Sequence, residues 1–287
     1  MFGKLKFDKA SFVQAFKLGN DLWDPSNRFE TSWLLPPWAL FACRLVFALY
    51  AFVTLLFSIG WEGTHPELGG WVEVRLSFSY FTILCYWGMA NYFLISSIHT
   101  FSYAMNGGTP LLNRFPRSLQ ALHHLYATTV TTFPFLVTII YWGAIYAGPW
   151  FPIRFNAWAN ISEHAMNSAW ALFEICVSRM NPPPWVHLVW LILILACYLA
   201  LAYLTHYTKG VYVYSFLDTS NGKSGIVTAY CFGIAIAICV IFCLVKGLYT
   251  LRKRLTEQKL GKTGKFYAGR DMGAGEVELE SQRMWEK

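Results

Sequence analysis

Charge is what this sequence has least of. Of 287 residues, 14% are charged, against about 25% in an ordinary soluble domain. A soluble chain of this length would spread short amphipathic elements along its whole length. Here the charges gather at the two ends and in short connectors. Cysteine patterning is missing too. The seven cysteines are odd in number, show no CxxC spacing and sit inside apolar stretches, so they read as small apolar residues rather than a disulfide framework. The seven histidines show no HxxH or HxxxH spacing, so no metal and no cofactor is expected. There is no internal repeat and no second soluble domain. Residues 1–17 alternate Lys with Phe and have no continuous apolar core. No cleavable signal peptide is therefore read, and the first membrane helix is expected to act as the targeting signal.

What the chain has is apolar length. Hydrophobic residues make up 55% and aromatics 18%, with 13 Trp. About 20 apolar residues are needed for a helix to cross the hydrocarbon. Six segments meet that need: 34–59, 76–103, 118–147, 158–179, 184–207 and 226–249. The expected fold is all-α, a polytopic bundle of about six transmembrane helices. The fourth segment is the most polar, carrying Glu163, His164, Asn167 and Glu174. Such groups are tolerable in a bilayer only against other helices or a water-filled cavity.

Three regions follow. Residues 1–33 form a basic N-terminal arm whose Phe2, Leu5, Phe7, Phe12 and Phe16 suit a membrane surface. Residues 34–250 form the membrane domain. Residues 251–287 form a polar, basic tail expected to be disordered. Lys and Arg concentrate in the arm, after the second segment at Arg114 and Arg117, at Arg179, and from Lys246 onward. That bias predicts both termini on the cytoplasmic side of an endomembrane (ER) or plasma membrane. The net charge of +7 therefore points to anionic membrane lipids as partners and not to nucleic acid.

Polar groups within the spans are the candidates for chemistry. Thr82 lies six residues into the second segment, and His164 six residues into the fourth, counted from the same side. At ~1.5 Å per residue each would sit ~9 Å deep, which permits a hydroxyl and an imidazole to meet. A threonine hydroxyl becomes a nucleophile when a nearby base accepts its proton. Asn167, one turn from His164, can orient the ring or donate to an oxyanion. Ser79 and Tyr86 share the face of Thr82. The plainer alternative for each is packing, with hydroxyls bonded to their own backbone. Arg44 and Glu174 are opposite charges in otherwise apolar segments. They are expected to form a structural ion pair, because an unpaired Arg at that depth is very costly.

The residues of the fourth to sixth segments also carry a resemblance. Glu163-His164-Ala165-Met166-Asn167-Ser168, then Glu174 and a proline link, is similar to the androgen-induced and androgen-dependent TFPI-regulating protein family. So is the run from Leu204 through His206-Tyr207-Thr208-Lys209-Gly210 to Tyr214-Ser215-Phe216-Leu217-Asp218, which resembles that family's HH-x-TG-x-WVYPFLE stretch. Tyr80-Phe81-Thr82-Ile83-Leu84 resembles its FLT-x-I segment. Asn167 replaces a second histidine and Ser215 a proline, departures closer to rolling-stone-like relatives. The resemblance implies a multi-pass hydrolase of fatty acid esters of hydroxy fatty acids, with Thr82 as nucleophile, His164 as base and a lipid ester as substrate. The rival reading from the residues is a non-enzymatic transporter or receptor-like scaffold, since charges near the bilayer midplane are common in transporters.

Overall fold

The computed structural model describes residues 21–267. The expected arm residues Phe2, Leu5, Phe7, Phe12 and Phe16 lie outside them. The described chain is helical, with only isolated β-bridges between extended residues. The helices are α1 (Pro37–Thr64), α2 (Gly70–Ser77), α3 (Phe81–Met105), α4 (Arg117–Ile140), α5 (Arg154–Ile161), α6 (Asn167–Val177), α7 (Val186–Lys209) and α8 (Ser224–Lys253). Single π-helical turns extend α4 (Tyr141–Ile145), join α5 to α6 (Ser162–Met166) and extend α8 (Arg254–Lys259).

Five helices are long and apolar enough to cross a membrane: Pro37–Thr64, Phe81–Met105, Arg117–Ile145, Val186–Lys209 and Ser224–Lys259. A helix suits that setting because it satisfies its backbone polar groups internally. The expected fourth span is not one uniform apolar helix. It runs as α5, a π turn and α6, and packs on α4. From Arg154 to Val177 it is about 36 Å long at the usual rise, sufficient for a crossing.

The outward faces are apolar and the inward faces hold the polar groups. On α8, Phe232, Ile236, Val240 and Leu244 recur every four residues and are all more than half exposed. On α1, Val46, Leu49, Val53 and Leu56, spaced by three or four residues, are also more than half exposed. A monomer in water seldom exposes stripes of that extent; lipid chains cover them. Inside, Thr128, Thr131 and Thr132 of α4 and Ser96, Ser97 and Thr100 of α3 are buried. Thr131 and Thr100 donate to carbonyls one turn back, at 2.8 and 2.7 Å. The apolar centre is aromatic: Phe47 of α1 stacks on Trp170 of α6 and meets Phe93 and Phe173 edge-on.

The two described ends of the chain meet at one end of the bundle. Residues 21–36 lie across it. Ser32 bridges to both Ser178 and Lys265, and the Lys265 amide donates to the Ser32 carbonyl at 2.7 Å. Arg28 pairs with Glu257 at 2.5 Å, and Glu257 also accepts from Arg252 at 3.0 Å. This is the basic end. The opposite, far end carries Glu62, Glu67, Glu73 and residues 146–153 and 210–223.

Two details differ from the sequence expectation. The second span is broken at Phe78–Tyr80, so that α2 is separate and α3 starts at Phe81. The tail expected to be disordered from 251 continues as helix to Lys259 and then returns to Ser32.

Candidate active site

The break before α3 places Thr82. Tyr80 is extended (φ −79°, ψ 132°) and ends the turn after α2. The first intrahelical bond runs from Leu84 N to Tyr80 O at 3.2 Å. Thr82 is thus the second residue of α3, in its amino-terminal turn, not two turns down a longer helix. No side chain caps this helix start. The Phe81 amide donates to the Tyr214 hydroxyl at 3.2 Å, while the amides of Thr82 and Ile83 have no acceptor within the helix. Ser79, just upstream, is used structurally. Its hydroxyl accepts from Thr205 at 3.0 Å and its carbonyl from the Tyr198 hydroxyl at 3.0 Å, which ties the break to α7.

Thr82 lines a cavity of about 240 Å³ between α3, α4, α7, α8 and residues 214–217. Its wall is mostly aliphatic, with Leu136, Val137, Ile140, Ile192, Leu195 and Leu199 prominent. The hydroxyl-bearing lining residues are Thr82, Tyr141, Tyr198 and Tyr214. An apolar space with a few convergent polar groups is the ordinary form of a small-molecule site.

His164 sits in the π turn between α5 and α6 and is buried. Its Nδ1 lies 3.1 Å from the Asn160 carbonyl. A carbonyl only accepts, so Nδ1 carries the proton and Nε2 is left as the lone-pair nitrogen. The ring stacks on Tyr141, with centroids 3.6 Å apart and planes 20° apart. The Tyr141 hydroxyl donates to Asn160 Oδ1. The His164 carbonyl accepts from Trp142 Nε1 at 3.0 Å.

Thr82 and His164 are not hydrogen-bonded to each other. Their common neighbour is Tyr141, which lines the Thr82 cavity on one side and covers the imidazole on the other. Asn167 faces α4 one turn further along. Its Oδ1 accepts from Thr138 Oγ1 at 3.2 Å and from the Ser168 amide at 2.6 Å. Tyr86 is buried against Trp170 and does not line the cavity.

Arg44 and Glu174 form a forked ion pair near the basic end, with 1% and 0% side-chain exposure. Arg44 Nε reaches Glu174 Oε2 at 3.3 Å and a terminal nitrogen reaches Oε1. The other terminal nitrogen donates to Phe29 O at 2.7 Å and Thr100 Oγ1 at 2.6 Å. Tyr92 donates to Glu174 Oε1 at 3.1 Å. Every strong donor and acceptor of the pair is engaged, the condition under which a buried pair is tolerable.

Close by is a group that residue spacing did not reveal. His99, His123, His124 and His187 are all buried. Ring centroids are 5.3 Å apart for His99 and His123, and 4.9 Å for His124 and His187. Trp23 donates to His124 Nδ1 at 3.1 Å, and Thr128 bonds His187 at 2.7 Å. Among the described residues, no three His, Cys, Asp or Glu side chains are arranged to hold a metal ion. Tyr141, Tyr198 and Tyr214 were also missed, because tyrosines in membrane segments give no signal that separates lining from packing.

Comparison with known proteins returned nothing: no family model, no characterised protein and no solved structure is significantly similar to this chain.

Proposed function

We propose that the chain is an intramembrane hydrolase of lipid esters, such as fatty acid esters of hydroxy fatty acids, with Thr82 as nucleophile. The observation that carries the reading is a threonine hydroxyl in the first turn of a long helix, on the wall of an apolar cavity between membrane helices. The resemblance in 76–249 supports the same residue. The cavity receives an acyl chain from the bilayer. The ester carbonyl lies at the start of α3, where the free amides of Thr82 and Ile83 and the positive end of the helix dipole steady the oxyanion. Thr82 Oγ attacks the carbonyl carbon and its proton passes to His164 Nε2. The ester C–O bond breaks, and the alcohol leaves with that proton. Water then cleaves the acyl-threonine with His164 again as base. Tyr141 covers the imidazole, so it is the side chain that moves to let His164 reach Thr82. Asn167, bonded to Thr138 and Ser168, supports the α4 contact beside His164.

The second reading is a lipid-binding membrane protein without enzymatic activity, favoured by the absent hydrogen bond between Thr82 and His164. A fluorophosphonate probe applied to the purified protein separates them. The hydrolase reading expects covalent labelling that Thr82→Ala abolishes and His164→Ala slows about 100-fold or more. It also expects hydrolysis of a long-chain lipid ester with the same dependence. Labelling unchanged in Thr82→Ala, or none in the wild type, removes the enzymatic reading and leaves the binding one.

Orientation belongs to the same proposal. The basic end, with Arg28, Arg117, Arg179 and Arg252, is placed on the cytoplasmic side, so the mouth of the Thr82 site is nearer the opposite leaflet. Single-cysteine labelling at residue 220 and residue 260 in sealed vesicles reads this directly, and protection in the reverse sense overturns it.

A further inference from the structure

A second cavity, of about 100 Å³, lies beyond the first turns of α3, on the side facing α1 and α5. Its character is opposite to that of the Thr82 cavity. Glu62 of α1 and Glu163 of the π turn line it, with Ser58, Ser77, Asn156 and Asn160, and with Trp87 and Phe155 as aromatic walls. Two of the neutral groups, Ser77 and Asn160, already have partners. Ser77 Oγ donates to Val74 O at 2.9 Å, and Asn160 bonds Asn156 O and Tyr141.

The remainder do not. Glu163 is 9% exposed, and its carboxyl makes no hydrogen bond or ion pair among the described residues. Ser58 is 8% exposed, and its hydroxyl has no partner there. The Trp87 indole nitrogen is also buried without one. Glu62, half-buried on the same wall, has no side-chain partner among the described residues. Buried polar groups in proteins are nearly always satisfied, and each exception calls for a cause. Here two glutamates and a serine with an unpartnered hydroxyl line one cavity.

We propose that this cavity binds one small monovalent cation, held between the carboxylates of Glu163 and Glu62 with the Ser58 hydroxyl as a neutral ligand. An all-oxygen donor set suits a hard cation. Two carboxylates and one hydroxyl fall short of the six to eight oxygens calcium takes. The volume corresponds to about three waters, room for a partly hydrated sodium ion or for the ammonium group of a two-carbon amine. Trp87 and Phe155 also line the cavity, and aromatic rings attract either cation. The π turn is what makes the site. It sets Glu163 toward this cavity while its neighbour His164 turns to Tyr141, so consecutive residues serve two different spaces. The inference does not rest on the hydrolase reading, and its failure would leave Thr82 unaffected.

The test uses the full chain purified in detergent. The unfolding temperature is measured in sodium chloride and in ethanolamine hydrochloride, each against N-methyl-D-glucamine chloride at equal ionic strength. The expected result is a saturable rise with one or both cations, whose apparent affinity falls at least about tenfold in Glu163→Gln. A rise with sodium alone assigns an inorganic ion, and a rise with ethanolamine alone assigns an amine. Should Glu163→Gln fail to fold, Ser58→Ala takes its place, together with radioactive sodium binding to the wild type, displaced by ethanolamine. Binding near one ion per chain that Ser58→Ala weakens supports the site. No saturable response to either cation, or a response unchanged in the variants, overturns it.

Discussion

The Arg44–Glu174 pair near the basic end and the two cavities at the far end treat buried polar groups in opposite ways. At the basic end, Arg44 and Glu174 are almost fully enclosed, and their hydrogen-bonding atoms are taken up by Phe29, Thr100, Tyr92 and each other. Around them the N-terminal segment, α6 and the residues after α8 lock together. At the far end, Thr82 lines an open apolar space, and Glu163 and Ser58 face a polar one without partners. Polarity that is satisfied by the protein itself holds the helices in place. Polarity left open toward a cavity is available to something that is not the protein. Glu30, His99 and Arg252 near the basic end also keep an unpartnered atom, whereas Thr82, Glu163 and Ser58 border cavities, and polar groups on a cavity wall within a bilayer mark where function is to be sought.

The strongest way to break this contrast is at the basic end. Arg44→Met alone strands Glu174 in an apolar interior and should lower stability by about 3–5 kcal/mol. Replacing both, with Glu174→Met added, should recover most of that loss, because no charge is then left unpaired. A charge swap of the two residues should likewise express better than either reversal alone. Thermal unfolding in detergent reads the first comparison. A double variant no better than the single would show that the pair itself is not what the basic end depends on.

The sequence made the basic end more legible than the far end, for physical reasons. An Arg and a Glu in otherwise apolar runs advertise each other, since neither survives in a bilayer alone. The apolar lengths located the helices to within a few residues. The break at Phe78–Tyr80 was not legible, because those residues are apolar enough to continue the span on either side. It moved Thr82 to a helix start, and the equal depth of Thr82 and His164 no longer follows from counting. The π turn at Ser162–Met166 has no sequence signature, yet it decides which way Glu163 and His164 face. The ordered stretch to residue 267 was hidden because its polar residues gain order only from partners far away in sequence, such as Arg28 for Glu257 and Ser32 for Lys265.

A smaller effect probes the basic end outside the membrane helices. Glu30 is 1% exposed, beside Asp24 and within the field of Arg44. Burial, then the charge of Asp24, push its carboxyl up from 4.5 to about 8. The folded state therefore holds this proton more tightly than the unfolded chain does. Stability is at its fullest below about pH 4.5 for this group and falls as pH rises towards 8. Glu30→Gln removes the titration. The variant should be less pH-sensitive than the wild type across pH 5–8, with a difference of ~1–3 kcal/mol at the alkaline end. Parallel unfolding-temperature profiles for the two proteins would mean that Glu30 does not titrate as its burial implies.

The smallest effect on stability should come from the residue with the largest proposed role. Thr82 is half-buried, in the first turn of α3, and its side chain borders the apolar cavity, where the Tyr214 hydroxyl is its polar neighbour. Thr82→Ala removes one hydroxyl and one methyl there and should change stability by only about 1 kcal/mol or less. Arg44→Met is its opposite, a substitution that damages the fold before it touches any chemistry. If Thr82→Ala instead unfolds the protein as readily as Arg44→Met, Thr82 is part of the scaffold, and loss of probe labelling in that variant would say nothing about a nucleophile. If the variant keeps its unfolding temperature and loses its labelling, the hydroxyl is held for reaction and not for packing. The pair of measurements on this one substitution therefore decides whether the far end differs from the basic end in kind.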